Sequence, residues 1–309
     1  MNRLRLAAAF FAVYVFWGSG FLGVRVMVRD IPPLLGTGSR FVISGLVLLG
    51  WSMWRARRGD GNRRDAVRLS RRELAAVFVV GMLLIGGGNG LLAIREQHVD
   101  SSLAALLAAS IPLWIIVFRA IAREHNPPLG IVGTIVGLFG VGLLFLPGHA
   151  STGTSILASI LLVVSAIGWA FGSWLVPRLP LPDSALVLTG WQMVLGGFGV
   201  VILGLLAGEA GDLRAPSSGP AAAYVYLTLV TGLIGYLAFV WLLQNVPIGK
   251  ASTYAYVNPV VAVLLGWLIL GEQPTTTMLI AATVIVASVA VTLRVEVEEI
   301  ADRPALQSD

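Results

Sequence analysis

The sequence predicts an all-α integral membrane protein whose ten transmembrane helices form two five-helix inverted repeats. Three observations predict this fold: the composition, the unbroken apolar runs and a similarity between the two halves of the chain. Hydrophobic residues make up 57% of the 309 residues and charged residues only 12%, about half of the ~25% charged share of soluble domains. The bilayer is therefore the solvent in which this chain folds.

The apolar runs indicate helices rather than the strands of a membrane barrel. Residues 74–94 and 155–176 carry no charge and are almost entirely apolar, whereas barrel strands alternate apolar and polar side chains. A helix needs about 20 apolar residues to cross the hydrocarbon core. The N-terminal apolar run, 6–26, is too long for a secretory signal and lacks an evident cleavage site, so it is interpreted as a span. The ten predicted spans are 6–26, 33–54, 73–94, 100–121, 129–146, 154–176, 184–206, 221–243, 250–270 and 277–294.

The distribution of Lys and Arg predicts the orientation of these spans. With a cytoplasmic N-terminus, 16 of the 21 basic residues fall on the cytoplasmic side, and eight of them are arginines of the 55–72 loop. Four fall on the opposite side, and Arg40 lies within a span. The positive-inside rule therefore places both termini, and the tail 295–309, in the cytoplasm.

An internal repeat relates the two halves of the chain. Three residues recur 152 positions later: Trp17, Arg40 and Gly45 match Trp169, Gln192 and Gly197. A second block recurs 147 positions later: Gln97, Val99, Ala104 and Pro112 match Gln244, Val246, Ala251 and Pro259. Each repeat, 6–146 and 154–294, holds five spans, an odd number, so the second must enter the membrane in the opposite sense. Inverted repeats of this kind serve alternating access in transporters; a duplication kept only for bundle stability is the alternative.

Two segments resemble a known family. VYVFWGSGFLGVRVMVRDIPPLLGTGSRF at 13–41 and KASTYAYVNPVVAVLLGWLILGEQPT at 250–275 are similar to the EamA repeats of the drug/metabolite transporter superfamily, within which the ten-helix bacterial metabolite exporters are nearest. The resemblance covers about residues 8 to 293. It implies a five-plus-five inverted-repeat fold in the bacterial inner membrane, export of small metabolites such as amino acids, and no cofactor.

Arg40 is the first candidate for substrate binding. It lies about seven residues into the second span, roughly 10 Å deep at 1.5 Å per residue. A charge at that depth is costly unless it faces a polar cavity or a partner. Arg40 would either bind a substrate carboxylate or cap backbone carbonyls at the outer rim, and the sequence leaves both roles open.

Polar residues beside two mid-span prolines are further candidates. Pro112 follows Ser110 in the fourth span, and Pro259 follows Asn258 in the ninth. A proline frees a carbonyl one turn earlier and kinks the helix, so both prolines are predicted hinges beside the pathway. Asn258 is the better ligand candidate, with Tyr254 one turn before it on the same face.

The remaining candidates are amide, hydroxyl and aromatic side chains inside spans. Asn89 and its repeat equivalent Tyr236 would serve either interhelical hydrogen bonding or substrate contact. Tryptophans away from the interfacial belt would line an aromatic cavity or simply pack in the core. These residues are Trp17, Trp114 and Trp169, and Ser19 beside Trp17 completes the predicted pathway set.

The acidic residues bear on energy coupling. Seven lie near predicted helix ends: Asp30, Glu73, Glu96, Asp100, Glu124, Asp183 and Glu272. A proton-driven antiporter usually keeps an ionisable group in the membrane interior, so facilitated diffusion is expected. In a proton-coupled alternative, Glu96, His98 and Glu272 would titrate.

Several function classes are disfavoured. The chain has no cysteine, its three histidines fall on separate loops, and it contains no H-E-x-x-H, Walker A or G-x-S-x-G motif. We therefore expect no enzyme activity, no metal site and no ATP-driven transport. The basic charge follows membrane topology and does not indicate nucleic-acid binding. The expected partners are a small-molecule substrate and membrane lipid, with the chain as a monomer or homodimer.

Other membrane functions remain as alternatives. A channel would need a continuous polar lining or charged rings, and these spans are too apolar. A carrier of nucleotide sugars or sugar phosphates would need several intramembrane cations, of which only Arg40 is present. A multidrug carrier of the same fold is the other alternative to an exporter of aromatic or other neutral amino acids.

Overall fold

The computed structural model describes residues 3–58, 67–124, 126, 128–144, 156–246 and 254–302 and is helical throughout, with no strand in those ranges. The helices are α1 (Arg3–Met27), α2 (Pro33–Arg57), α3 (Arg71–Glu96), α4 (Ser101–Ile121), α5 (Pro128–Leu143), α6 (Ile156–Arg178), α7 (Ala185–Leu206), α8 (218–245), α9 (254–270) and α10 (Thr276–Asp302). Four contain a π-helical segment: Ala12–Trp17 in α1, Met82–Gly90 in α3, Leu227–Gly235 in α8 and Gly266–Leu270 in α9.

The all-helical membrane fold is confirmed. Seven helices of the described chain are long and apolar enough to cross a membrane. The fifth, ninth and tenth predicted spans coincide with shorter apolar helices, Pro128–Leu143, Val257–Leu270 and Thr276–Val291. Ten crossings therefore remain a prediction, as does the inverted orientation of the repeats.

One close contact between the two halves joins α2 and α7. A Cβ on Gly38 would lie 2.6 Å from the carbonyl oxygen of Gly197, and a Cβ on Gly45 would lie 2.6 Å from that of Gly190. The repeat offset of 152 relates Gly38 to Gly190 and Gly45 to Gly197. Each contact is thus the repeat equivalent of the other, which is the pattern of a two-fold axis between the helices.

A second glycine-mediated contact joins α5 and α10. A Cβ on Gly137 would clash with Leu113 and with the Ser288 hydroxyl, and one on Gly140 would meet Val284 at 2.9 Å. The Ser288 hydroxyl donates to the carbonyl of Gly133. The glycine-rich face of the fifth span thus serves close helix packing, as its sequence indicates.

Ion pairs and hydrogen bonds define two ends of the bundle. At the first, called the basic end, Arg178 at the end of α6 pairs with Glu124, which also lies 3.8 Å from Arg119 of α4. The opposite, distal end holds residues 25–35, 96–102, 207–218 and 271–275. Orientation in the membrane remains a prediction, with the basic end expected in the cytoplasm.

Three carboxylates join the two halves of the chain at the distal end. Asp30 accepts hydrogen bonds from the hydroxyl and the backbone N–H of Ser217, and these lower its pKa. Glu209 accepts from the N–H groups of Leu34 and Leu35 at 3.1 and 2.8 Å. The third carboxylate, Glu272, accepts from both the N–H and the hydroxyl groups of Ser101 and Ser102. Each carboxylate caps a helix N-terminus, where backbone N–H groups are free.

Replacing Gly45 with Ala should destabilise the protein, because the new Cβ would overlap the Gly190 carbonyl. Gly50→Ala on the same helix is the matched control, since nothing lies within 4 Å of its Cβ position. Both changes gain similar helix propensity, whereas overpacking costs about 1–3 kcal/mol. Thermal unfolding in detergent should show a midpoint for Gly45→Ala several degrees below that of Gly50→Ala; equal midpoints would contradict the close α2–α7 contact.

Candidate functional site

A central cavity lies where seven helices from both halves meet. Its walls come from α1, α2, α3, α4, α6, α8 and α9. The cavity volume is about 130 Å³, which is below the ~300–1,000 Å³ of drug-sized ligand sites. Most of the predicted pathway residues line it: Trp17, Arg40, Asn89, Trp169, Tyr236, Tyr254 and Asn258, together with Pro259.

The π-helical segments shape the walls of this cavity. Those of α1, α3 and α8 contribute Trp17, Gly88, Asn89 and Thr231 among the lining residues. Shifted by the 147-residue repeat offset, the segment of α3 overlaps that of α8. Such segments are rare and occur often at functional sites, because the wider turn redirects side chains and carbonyls.

Arg40 is a buried cation without a carboxylate partner among the described residues. It is only 4% exposed, and its guanidinium lies 4.2 Å from the ring centroid of Phe41. Nη2 donates to Oδ1 of Asn89 at 3.5 Å, while Nε has no hydrogen-bond partner within the described ranges. An unpaired buried charge is costly, so this site favours an anionic group of a ligand.

Asn89 connects Arg40 to the π-helical segment of α3. Its Nδ2 donates to the Leu84 carbonyl at 3.1 Å, five residues earlier, and this fixes Oδ1 toward Arg40. The neighbouring residue, Gly88, lies against the Trp169 ring, where a Cβ would come within 2.7 Å. Both the backbone and the amide therefore hold this wall in place.

Five aromatic rings form a layer on the side of the cavity nearer the basic end. This aromatic layer consists of Trp17, Trp169, Tyr236, Phe239 and Tyr254. The Trp17 centroid lies 4.8 Å from Phe239, 5.2 Å from Tyr254, 5.8 Å from Tyr236 and 6.0 Å from Trp169. Trp17 Nε1 donates to the Thr231 carbonyl at 3.3 Å, so the central ring is held by α8. The layer provides a rigid, mostly apolar surface.

Asn258 supplies a second polar group beside the aromatic layer. It is 6% exposed and lines the cavity, and its Oδ1 has no hydrogen-bond partner in the described part of the chain. Tyr254, one turn earlier on α9, lines the same wall. A buried amide oxygen without a hydrogen-bond donor nearby is suited to accept a hydrogen bond from a ligand.

Three predicted pathway residues do not line the cavity. The Ser19 hydroxyl lies 2.6 Å from that of Tyr226 and also donates to the Val15 carbonyl, so it joins α1 to α8. Ser110 is fully buried and accepts from Trp114 Nε1 at 3.1 Å. Ser19, Ser110 and Trp114 thus have polar groups engaged within the bundle, and their contact with substrate stays a prediction.

The two predicted hinge prolines have different local structures. Pro112 lies in the first turn of the helix Ile111–Ile121, after a break at 109–110 that divides α4. Pro259 lies inside the helix Tyr254–Leu265. Only Pro259 is an interior proline, whereas Pro112 begins a new helix, where its missing N–H costs little.

Gln192, the repeat equivalent of Arg40, is buried in α7 and does not line the cavity.

Sequence reasoning missed Phe239 of the aromatic layer and the burial of Glu96. Glu96 lies at a helix end, as predicted, yet it is 0% exposed. Its burial within the protein bears on energy coupling, and facilitated diffusion stays a prediction. Neither residue carries a local signal, since only the packing of distant segments covers them.

Comparison with known proteins identifies the family. The EamA-like transporter family model matches residues 5–146 and 156–294. An uncharacterized inner membrane transporter, YedA, of Escherichia coli strain K12 is 36% identical over 271 residues, 87% of this chain and 84% of that protein. The uncharacterized transporter YoaV of Bacillus subtilis strain 168 is 25% identical over 283 residues, 89% and 91% of the two chains.

A solved structure supports the fold alone. A crystal structure at 20% sequence identity superposes with a TM-score of 0.65 over 96% of this chain and 99% of the other. Two copies of the family model together match most of the sequence, which confirms the resemblance seen in the two motif segments. The chain therefore belongs to the EamA-like transporter family, and it is a membrane transporter rather than an enzyme.

Proposed function

We propose that this protein exports small zwitterionic or neutral metabolites, amino acids above all, across the bacterial inner membrane by alternating access. The observation that carries the proposal is Arg40, a buried cation with no carboxylate partner in the described ranges, lining a central cavity. The inner-membrane location rests on family membership and on the relative YedA, which is named as an inner membrane transporter.

The cavity lining offers one group for each of the three parts of an α-amino acid. The carboxylate would pair with Arg40, since a charge-assisted hydrogen bond offsets the cost of burying both ions. The ammonium group would donate to Oδ1 of Asn258, which lacks a donor. An apolar or aromatic side chain would pack on the aromatic layer, which favours neutral side chains over charged ones.

Alternating access is supported by the arrangement of the two halves. Both halves line the cavity, and the glycine contacts of α2 with α7 follow the pattern of a two-fold axis. Substrate sites near such an axis can open to either side as one half rocks against the other. Export then follows from the substrate gradient between cytoplasm and periplasm.

Other cargo classes fit the cavity less well. A sugar phosphate or nucleotide sugar carries two negative charges, but Arg40 is the one charged side chain among the described lining residues. Cationic drugs would be repelled by the same arginine. Both classes nevertheless belong in the substrate panel as comparisons.

Replacing Arg40 with Gln should strongly reduce selective transport. In proteoliposomes, uptake of a labelled neutral amino acid from a panel should fall by about 10- to 100-fold, as expected for the loss of a charged hydrogen bond of ~1.5–3 kcal/mol. Arg29→Gln is the matched control, because Arg29 is exposed at the distal end. Unchanged flux in Arg40→Gln, or flux only of sugar phosphates or cationic dyes, would overturn this substrate class.

Accessibility of the cavity can be measured with single cysteines, because the chain contains none. Ala108 lines the cavity, whereas Ala104 on the same helix is fully buried. Ala108→Cys should react with a small water-soluble methanethiosulfonate about tenfold faster than Ala104→Cys, and a transported amino acid should protect it. Equal rates, or no protection by any transported compound, would indicate that the cavity is not part of the transport pathway.

Orientation can be tested with cysteines at the two ends. Asp212→Cys lies at the distal end and Arg58→Cys at the basic end, and both positions are exposed. An impermeant maleimide applied to intact cells should label Asp212→Cys, while Arg58→Cys should react only after permeabilisation. The reverse pattern would place the basic end outside, against the positive-inside rule.

A further inference from the structure

Glu96 is a buried carboxyl group that the proposed substrate site does not use. The side chain is 0% exposed, and neither Oε1 nor Oε2 has a hydrogen-bond partner within the described ranges. Its backbone carbonyl, by contrast, accepts a hydrogen bond from Arg25. An ionised carboxylate buried without donors is very costly, so this environment accepts the neutral, protonated form.

The basic groups near Glu96 do not pair with its carboxyl oxygens. Arg25 of α1 and Arg40 of α2 act on it electrostatically. Arg25 donates to the Glu96 backbone instead, with Nη2 3.9 Å from Asp100, and Arg40 contacts Asn89. The adjacent Arg95 has a buried Nε without a partner in the described ranges. Cations therefore surround Glu96 without neutralising it through direct contact.

The neighbouring acidic groups are already bound. Glu272, between α9 and α10, also acts electrostatically on Glu96, but its two oxygens accept from Ser101 and Ser102. Asp100 at the start of α4 faces Arg25. His98, in the turn after α3, is exposed, and α6 carries no ionisable side chain over Ile156–Leu175. Of the three carboxyl groups Glu96, Asp100 and Glu272, Glu96 is thus the one without a hydrogen-bond or ion-pair partner in the described ranges.

One face of α3 connects Glu96 to the cavity. Asn89, which contacts Arg40, lies three residues before Leu92, and Leu92 lies four residues before Glu96, so all three share one face of the helix. Asn89 and Leu92 both line the cavity. Glu96 therefore lies one turn beyond the distal end of the cavity lining, where the distal end must separate for the cavity to open on that side.

We propose that Glu96 is a proton-binding site that links opening of the distal end to proton binding. When the distal end opens, water reaches the carboxyl, its O–H bond breaks and the proton passes to water on the distal side. The carboxylate, now hydrated and near Arg25 and Arg40, holds the open form. Closure requires the proton to return, so low pH on the distal side favours the closed form. This inference rests on the proposed transport function for its biological meaning, but its conformational part can be tested separately.

The conformational test uses the full chain in detergent without any substrate. The rate at which Ala108→Cys reacts with a methanethiosulfonate is measured between about pH 5.5 and 8.5 in backgrounds with Glu96 and with Glu96→Gln. The ratio of the two rates at each pH cancels the intrinsic chemistry of the thiol. We expect this ratio to change by about threefold or more across the range, because Gln mimics the protonated form. Glu96→Asp should keep the pH response, as should Asp212→Asn, the control for an exposed distal carboxylate.

The transport test repeats the comparison with a labelled amino acid in proteoliposomes. Flux through the wild type should depend on the pH of the solution facing the distal end, and flux through Glu96→Gln should be flat. A constant rate ratio together with equal pH dependence of flux in Glu96→Gln would overturn the inference and leave the transporter proposal intact. A Glu96-dependent rate ratio without any amino-acid flux would instead support the proton site and overturn the substrate class.

Discussion

The close approach of α2 and α7 is the contact on which the rest of the bundle depends. Two glycines on each helix bring the backbones together, so that the carbonyl of Gly197 lies where a side chain of residue 38 would be. In lipid the hydrophobic effect does not drive helices together, and such small-residue contacts supply the packing. Arg40 lies on α2 between these two glycines, Gly38 and Gly45. The contact that joins the two halves therefore also fixes the helix that carries the buried cation.

The two ends of the bundle are held by different interactions. At the distal end, carboxylates of Asp30, Glu209 and Glu272 bind N-terminal groups of helices from the other half. At the basic end, Glu124 pairs with arginines of α4 and α6. The aromatic layer lies on the basic side of the cavity, whereas Arg40 and Asn89 lie toward the distal side. A substrate would thus meet an apolar surface at one end and a charge at the other.

The sequence predicted those features that depend on composition or on spacing along one helix. The all-helical fold follows from the apolar runs. Polar or bulky side chains inside a span need an explanation, and this made candidates of five residues that line the cavity: Arg40, Asn89, Trp17, Trp169 and Asn258. Features that depend on packing between distant segments were missed. Ser19 is engaged by the Tyr226 hydroxyl of α8, which a list of polar residues cannot show. Glu96 looks exposed at a helix end, but neighbouring helices and connections cover it.

The π-helical segments give the cavity walls a kind of mechanical freedom that ordinary helices lack. Each wide turn stores one surplus residue, and passing that residue along the helix converts π turns to α turns behind it. The residues in between then rotate by about 100° around the axis, the angle between successive residues. No run of hydrogen bonds has to break at once, which matters where the solvent offers no replacement donors. Asn89 and Thr231 lie within two of these segments. A screw-like register shift in α3 or α8 would turn them toward or away from the cavity while the helix ends stay in place.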